Sequence, residues 1–369
     1  MRVSIITCHH VYNYGASLQA YALQRYLKVL GHDVRIIDYR PEYLSIAYSF
    51  WNLPDGKEND KFRNNILLHF LLSLRLFNKR FSTWRRIAPF DRFKRHYLIC
   101  TDRFSSYKKL ADNPPEADVY IAGSDQIWNT NIHNGLDPAF YLRFGDETTK
   151  RIAYAASFAM PYLPHEHQSF VKTCLSYFDS VSVRESTGLD ILKSIGIKGQ
   201  IVLDPVFLLS QKQWLDVIGC ENCAQGGYVL VYCLNPESDL LFKKANEISK
   251  TLGKPVKIVE GIKKVRQRGN VIRNAGPIEF VRLIANAAFV VTDSFHGTAF
   301  SIIFERQFAV WHVHSDSCRI IDLLHTLNME QCINNDSQII TYDWPTIRET
   351  INALSDLSKD YIITSLKIA

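Results

Sequence analysis

The chain predicts an α/β protein of two domains, each built on a parallel sheet. Three observations carry that expectation. Short apolar runs of strand length alternate with helix-spaced segments from one end to the other, the pattern of strands joined by crossover helices. At 369 residues the chain exceeds what one typical core serves, so two α/β units are the natural division. With 47% hydrophobic and 22% charged residues, the composition is that of an ordinary globular protein and excludes a largely disordered chain.

Taken in order, a first strand over 3–7 leads through Cys8-His9-His10-Val11-Tyr12-Asn13-Tyr14-Gly15 into a helix carrying Leu18, Ala22, Tyr26 and Val29 on one face. Gly31 stops that helix, and 33–39 reads as the next strand. Strands follow at 117–122, 151–157, 180–184 and 199–203, which completes a first domain over 1–205. Residues 41–115 interrupt the alternation as a basic helical insertion. Beyond the Pro205 region and the Cys220 to Gly227 loop, a new series at 228–234, 255–260, 288–292 and 307–313 makes a second domain over 206–343. In the last stretch, 344–369, Ile347, Ile351, Leu354 and Leu357 have helical spacing.

Within the insertion, residues 61–95 carry ten Lys and Arg against the single acid Asp91, a local charge of +9 in a chain whose net charge is +6. This run sits beside the apolar stretch Ile66 to Phe77. One expectation is a peripheral contact with an anionic membrane, each cation near the surface adding about 1 kcal/mol. The other, favoured because exposed apolar patches of that size are uncommon, is that the leucines pack on the first domain and the arginines are solvated. No nucleic-acid-binding motif accompanies the charge, so no nucleic acid is expected. The apolar start Met1 to Ile6 is too short for a secretory signal, and no run approaches the roughly 20 apolar residues that span a bilayer. A cytoplasmic protein follows as the expectation, with the inner face of the membrane as its nearest surface.

Of the eight cysteines only Cys220 and Cys223 form a C-x-x-C pair, and no second pair stands at zinc-ribbon spacing. His312-x-His314 offers two nitrogens, with only Asp316 beside them. No bound metal is expected.

Three segments carry chemistry. Thr292-Asp293-Ser294-Phe295-His296-Gly297-Thr298 follows the apolar run Ala287 to Val291 and precedes Ile302 to Phe304, the grammar of a strand ending in a tight helix start. Free backbone N–H groups and the helix dipole make such a turn a ready anion site. A histidine there can hydrogen-bond an anion or move a proton at neutral pH. The same residues serve equally as a plain cap. The second segment, Val119 to Asn129, again runs from strand into polar residues. Asp125, Gln126 and Asn129 beside Trp128 is the set that sugar recognition uses, amides and carboxylates for hydroxyls and an indole face for a ring, or else a capped turn with a core Trp. The third is the amino-terminal segment ending in Asn13, Tyr14 and Gly15.

In order along the chain, N-Y-G-A-x-L-Q-A-Y-A-L, G-S-D-Q-I-W-N, Ser182-Val183-Arg184-Glu185-Ser186, Leu203-Asp204-Pro205 and T-D-S-F-H-G resemble the polysaccharide pyruvyl transferase family over roughly residues 1 to 325. The resemblance implies two Rossmann-like domains similar to the GT-B glycosyltransferase arrangement, an active site in the inter-domain cleft, and a C-terminal ending that packs back across the domain junction. It implies transfer of the enolpyruvyl carbons of phosphoenolpyruvate onto two hydroxyls of a sugar, on a cell-surface polysaccharide or its lipid-linked precursor, with phosphoenolpyruvate as co-substrate and no other cofactor.

On that reading His296 is the acid that helps phosphate leave, Arg184 grips a donor oxygen pair in its fork, and Asp125 accepts a proton from the attacking hydroxyl. Asp293, Ser294, Gly297, Thr298 and Arg319 are the expected donor-binding set. Asn13, Tyr14, Gly15, Gly123, Ser124, Gln126, Trp128 and Asn129 are the expected acceptor-binding set. One departure stands out: many family members have an arginine where this chain has Ser294, so a donor-gripping cation is missing there. Arg273, Arg319 or the Arg266-Gln267-Arg268 loop are candidates to replace it. Two alternatives remain beside this one. A nucleotide-sugar glycosyltransferase would want a carboxylate for the ribose, for which Glu260 and Glu279 are eligible, and a non-catalytic glycan-binding relative would bind without releasing phosphate. A dinucleotide dehydrogenase is disfavoured, since no G-x-G-x-x-G follows the first strand.

Overall fold

The computed structural model describes residues 1–45, 77–220, 226–235, 239–261, 269–311, 317–335 and 340–367. Its first sheet has seven strands: β1 (Arg2–Ile6), β2 (Asp33–Tyr39), β3 (Cys100–Phe104), β4 (Val119–Ala122), β5 (Lys150–Ala156), β6 (Ser180–Val183) and β7 (Gln200–Ile201), in spatial order β3-β2-β1-β4-β5-β6-β7. A second sheet of five holds β8 (Val229–Tyr232), β9 (Val256–Val259), β10 (Asn270–Ile272), β11 (Phe289–Thr292) and β12 (Gln307–Val310), ordered β10-β9-β8-β11-β12. Every strand pairing in both is parallel. Sheets of this kind are covered on both faces, which is why β4 and β11 are buried at every position and read as unbroken apolar runs.

The helices are α1 (Tyr14–Val29), the short α2 (Glu42–Ser45), α3 (Phe77–Tyr97), α4 (Tyr107–Asp112), α5 (His165–Leu175), α6 (Ser186–Ser194), α7 (Gln211–Ile218), α8 (Asp239–Leu252), α9 (Pro277–Ala285), α10 (Phe295–Ile303), α11 (Cys318–Thr326) and α12 (Trp344–Leu366); α7 joins the sheets, α11 and α12 follow the last strand, and the others lie in crossovers. In each sheet the strand order reverses direction once, between β1 and β4 and between β8 and β11. At such a point neighbouring connections leave toward opposite faces and open a crevice at the carboxyl ends of the strands. The loops after β1, β4 and β11 are the three segments singled out from the sequence.

Two strands fall outside the expected set. The insertion over 41–115 is not purely helical, because β3 lies within it and pairs with β2 at the sheet edge, across a register shift between Ile36 and Asp38. The three-residue β10 is the edge of the second sheet. Both are edge strands whose faces are partly exposed, so the apolar pattern that marks a strand fades in them. The apolar part of the basic run, 66–76, lies outside the described residues, as do 266–268, His312, His314, Asp316 and Cys223.

The core is shared. A single buried cluster runs from Val3 and Ile5 of β1 through Leu18 and Leu23 of α1, Val206 to Leu209, Trp214, Phe280 and Phe300, to Leu230 and Val290 of the second sheet. Tyr14 is one of its rivets. Its ring stacks on Phe280 at 4.4 Å and 3° and on Phe90 of α3 at 5.0 Å, and its hydroxyl reaches the carbonyls of Glu260 (3.2 Å) and Ala275 (3.1 Å). Within α3, Arg86 donates to the Gly261 carbonyl and lies 3.4 Å from Glu260, while Lys94 is buried between Asp91 and His10 at 2.8 Å from each. These two cations of the basic run therefore face inward. The last helix, α12, spans the two sheets: Tyr342 just before it stacks on Phe308 of β12, and Tyr361 near its end donates to Ala153 O of β5 at 2.8 Å. Among the described residues no helix is long and apolar enough to cross a membrane.

Candidate active site

Asp204 is the hub. It follows β7, its Oδ1 accepts the Val206 N–H at 3.1 Å to start the 3₁₀ turn Pro205–Leu208, and its Oδ2 points the other way. That one oxygen accepts Arg184 Nη1 at 2.7 Å and Ser124 Oγ at 3.2 Å, and His296 Nε2 lies 3.7 Å from it. Residues from the ends of β4, β6 and β7 and from the start of α10 thus meet at a single carboxylate. Burial alone would push the Asp204 carboxyl up; the His296 ring, the Arg184 guanidinium and the Val206 N–H outweigh it and hold it well below the usual carboxylate range.

Backbone irregularities aim these groups. Ala155 adopts φ +52° where the β5–β6 register slips between Ala153 and Ala156, and Ser182 Oγ repairs the break by donating to Ala153 O (2.9 Å) and accepting from Ala155 N (3.1 Å). Just beyond β4, Asp125 sits at φ +84° and bridges Ala156. Its carboxylate accepts the Gln126 N–H at 2.9 Å and stands 3.5 Å from Arg184 Nη2. Glu185 is wholly buried, and one of its oxygens takes Ser157 Oγ (2.9 Å), Phe158 N (2.8 Å) and Ala159 N (3.1 Å). The other oxygen is 3.8 Å from Arg184 Nε. Although burial disfavours its charge, Asp204, Asp125 and Glu185 together raise the Arg184 pKa above the usual arginine value. The guanidinium also lies over the Phe295 ring at 5.2 Å.

Arg319, near the start of α11, stands beside this group. Its own pKa is lowered by burial and by the like charge of Arg184, with Asp125 and Glu185 opposing. One turn on, Asp322 accepts the Ser186 N–H at 2.6 Å, so a carboxylate from the second domain closes the amino end of α6. A cavity of about 480 Å³ adjoins, lined by Arg184, Ser186, Asp204, Phe295, Arg319 and Asp322 among others. A larger one of about 850 Å³ lies beside the first residues of β1 and β2, lined by Arg2, Asp33 and Arg35. That is the end of the sheet where parallel α/β folds do not bind ligands.

The arrangement has one chemical property that decides how it reads. Arg184 Nε and Nη2, Arg319 Nε and His296 Nε2 are all covered, and none has a hydrogen-bond acceptor among the described residues. Three of the four still stand near carboxylates without hydrogen-bonding to them, Glu185 at 3.8 Å from Arg184 Nε, Asp125 at 3.5 Å from Arg184 Nη2 and Asp204 at 3.7 Å from His296 Nε2, so the group keeps donor capacity that an anion with several oxygens can use.

The structure brings Arg184, Asp125, Ser124, Arg319 and His296 together around Asp204, a residue that the sequence marked only as a landmark; its signal was a lone carboxylate at a strand end before proline. Other expected site residues are used elsewhere. Trp128 is no sugar platform: it is fully buried, stacked on Tyr141 at 5.7 Å and 5°, and donates Nε1–H to Phe140 O at 3.1 Å. Tyr14 is in the core, as described. Asn129 binds Gln126 Oε1 at 3.1 Å and the Asn131 N–H at 3.0 Å, ordering its own turn. Gly123 packs on Thr7, where a Cβ would come within 3.1 Å of Thr7 Cβ.

In the histidine turn, Asp293 accepts the Leu234 and Asn235 N–H groups (2.6 and 3.0 Å) and so holds the loop after β8, away from any donor role. Ser294 caps α10 through the Gly297 N–H at 3.4 Å, Thr298 is fully buried and donates to Ser294 O at 3.1 Å, and Gly297 lies flat on Thr292, where a Cβ would sit 2.4 Å from Oγ1. These residues build the turn, from which His296 turns Nε2 toward Asp204. Asn13 caps α1 by accepting from Gly15 N (2.8 Å) and Ala16 N (3.3 Å), and Gly15 lies against the His296 ring. Glu260 is occupied by Arg86 and by Arg273 at 3.9 Å, while Glu279 pairs with Arg282 at 3.0 Å on the surface of α9; neither is presented to a ribose. Among the described residues no group of three or more His, Cys, Asp or Glu is placed to hold a metal ion.

Solved structures with a similar backbone include the UDP-GlcNAc 2-epimerase from Methanocaldococcus jannaschii, at 13% identity over 96% of this chain and 93% of that one, TM-score 0.47. They include the UDP-GlcNAc 2-epimerase from Neisseria meningitidis bound to UDP-GlcNAc, at 10% identity over 100% and 95%, TM-score 0.45. An alpha-glucosyltransferase in complex with UDP and a 13-mer DNA is similar at 9% identity over 98% and 91%, TM-score 0.47. A search of curated proteins finds no match. A family model described as polysaccharide pyruvyl transferase matches residues 13–310, a span that holds β1 through β12 save the first strand and every residue gathered around Asp204 except Arg319. The chain therefore belongs to the polysaccharide pyruvyl transferase family, and with it to the transferases.

Proposed function

We propose that this protein transfers the pyruvyl group of phosphoenolpyruvate onto two hydroxyls of one sugar, forming a ketal on a cell-surface polysaccharide or its lipid-linked oligosaccharide precursor. The observation that supports it is the cluster of covered nitrogens on Arg184, Arg319 and His296 that make no hydrogen bond among the described residues. Phosphoenolpyruvate carries a phosphate and a carboxylate on three carbons, and two arginine forks with an imidazole between helix start and carboxylate suit such a doubly anionic group. Arg319 is the cation we assign to the place that Ser294 leaves empty.

The atoms balance without another reactant. The methylene carbon of the donor takes a proton and becomes a methyl group, one sugar oxygen bonds to C2, the C2–O bond to phosphate breaks, and the second sugar oxygen takes its place. Of the two hydroxyl protons, one ends on the methyl carbon and one on phosphate. His296 Nε2 is the proposed proton donor to the departing phosphate, and the partly exposed Asp125 the proposed acceptor of a hydroxyl proton. Asp204 and Glu185 hold the Arg184 guanidinium in place. The proposed setting is the cytoplasm, at the inner membrane face when the acceptor is lipid-linked.

The test is phosphate release from phosphoenolpyruvate with lipid-linked glycans as acceptors, followed by mass spectrometry of the glycan. His296→Ala is expected to lower turnover by about 10²–10⁴-fold, the usual weight of a general acid. Unchanged turnover removes the histidine from the chemistry. Stabilisation by phosphoenolpyruvate without phosphate release, across a broad acceptor panel, favours the glycan-binding reading.

A further inference from the structure

The two domains contribute unequal halves to the histidine's surroundings. His296 rides on α10 of the second domain, whereas the surface its ring lies on is Gly15, the second residue of α1 in the first. A Cβ placed on Gly15 would fall 1.9 Å from His296 Nδ1, 2.3 Å from Cε1 and 2.5 Å from Cγ. No real pair of atoms approaches so closely, so the imidazole occupies the volume that any other residue at position 15 would fill. The glycine is not there for its backbone. It is not among the residues with left-handed φ, and it stands within a helix, where alanine is the better former. Nor does the helix end donate to the ring through Gly15, because Asn13 Oδ1 has already taken the Gly15 and Ala16 N–H groups. What this position supplies is space.

We infer that Gly15 is a positioning residue: a notch in α1 that seats the His296 imidazole across the domain junction and so fixes Nε2 near Asp204 and the donor cluster. With Nδ1 against Gly15 and the Phe295 ring packed edge-on at 5.1 Å, the ring has its remaining freedom on the Nε2 side, where Asp204 Oδ2 is 3.7 Å away. A methyl group in the notch would push the ring off that line. The catalytic part of this inference rests on the proposed transferase reaction; the positional part does not.

A cycle of Gly15→Ala, His296→Ala and the double variant tests both, read by thermal unfolding and by phosphate release. Gly15→Ala is expected to lower the unfolding midpoint and to lower kcat by about 100-fold with a smaller change in KM for phosphoenolpyruvate, as a displaced catalytic group does. In the His296→Ala background the same substitution should cost no further turnover, and should leave the midpoint unchanged or raised, because the clash is gone and alanine favours the helix. Equal losses in both backgrounds would overturn the inference, as would a Gly15→Ala protein as stable and active as the parent. Should Gly15→Ala fail to fold, recovery of a folded chain in the double variant supports the notch, and failure of the double variant overturns it. A parent that releases no phosphate with any acceptor, yet shows the expected stability cycle, would sink the transferase reading while leaving the notch standing.

Discussion

Asp204 shows how much one residue's surroundings decide. Placed at a strand end before proline, an aspartate would be an unremarked cap; placed between Arg184 at 2.7 Å and His296 at 3.7 Å, with Ser124 donating at 3.2 Å, it becomes the point on which the candidate site is fixed. Its depressed pKa carries a stability consequence. A carboxyl whose folded value lies below its unfolded value, about 3.9, stabilises the fold fully above that value and loses the contribution as pH falls toward the folded one. Asp204→Asn should therefore cost on the order of 3 kcal/mol at pH 7, since it strips a fully buried arginine of its nearest partner. The gap between parent and variant should narrow as the pH drops below about 4. Denaturant unfolding of both proteins at pH 7 and near pH 3 measures this. A gap that stays constant with pH would show that the carboxylate is not holding its charge in the fold.

At the same scale, His10 is pushed down to about 2 by burial and by the neighbouring Lys94 and Arg40, so it is neutral at working pH and accepts from Lys94 Nζ at 2.8 Å through Nδ1. Four of the thiols are equally quiet. Burial pushes Cys100 and Cys174 up to about 11 and Cys233 and Cys332 up to about 12, which suits packing and not nucleophilic chemistry.

Among elements, the β4 turn illustrates why a polar cluster with a tryptophan reads ambiguously in sequence. Ser124 and Asp125 turn toward Asp204 and Arg184, while two and three residues after Asp125, Ile127 and Trp128 turn into the core of the first domain, where Tyr141, Phe158 and Phe178 ring the indole. The alternation follows from one tight turn at positive φ, which one-dimensional spacing does not display. Trp128→Ala should thus cost about 3–5 kcal/mol of stability, as truncating a buried aromatic does. The milder Trp128→Phe should leave KM for the acceptor near the parent value. A selective rise in that KM with unchanged stability would restore the ring-stacking role.

The α3 helix makes a similar point about charge. A run of cations beside an apolar stretch suggests a surface for membranes, yet Arg86 reaches Gly261 and Glu260 in the second domain and Lys94 fills a buried site between Asp91 and His10. Sequence counts charge; only packing says which way it points.

For the molecule as a whole, the shared core has a thermodynamic consequence. Two domains joined by a thin linker would unfold separately, but here the same buried cluster holds residues from both sheets and from α12, with Tyr14 inserted between Phe90 and Phe280. Further ties come from α12, whose Ser355 Oγ donates to Phe207 O at 2.9 Å and whose Ser358 Oγ accepts from Leu203 N at 2.9 Å, directly beside Asp204. We expect a single calorimetric transition with equal van't Hoff and calorimetric enthalpies. Two resolved transitions would mean that the junction, and the site built on it, is looser than the packing indicates.

What the sequence determined by itself is local and periodic: ten of the twelve strands, most plainly Val119 to Ala122 and Phe289 to Thr292, where a strand buried on both faces must be apolar throughout. The helix starts at Asn13 and Ser294 and the ordered motifs of a transferase family were legible for the same reason, since caps and turns are written in consecutive residues. Two of the four edge strands, β3 and β10, were not, because their partly exposed faces carry no continuous apolar run. Tertiary structure alone decided that Asp204 receives Arg184 and His296, that Trp128 and Tyr14 belong to the core, and that Gly15 makes room for an imidazole nearly three hundred residues further along the chain. Those outcomes depend on which surfaces meet when two sheets close on one another, and contacts between distant segments leave no period in the sequence to read.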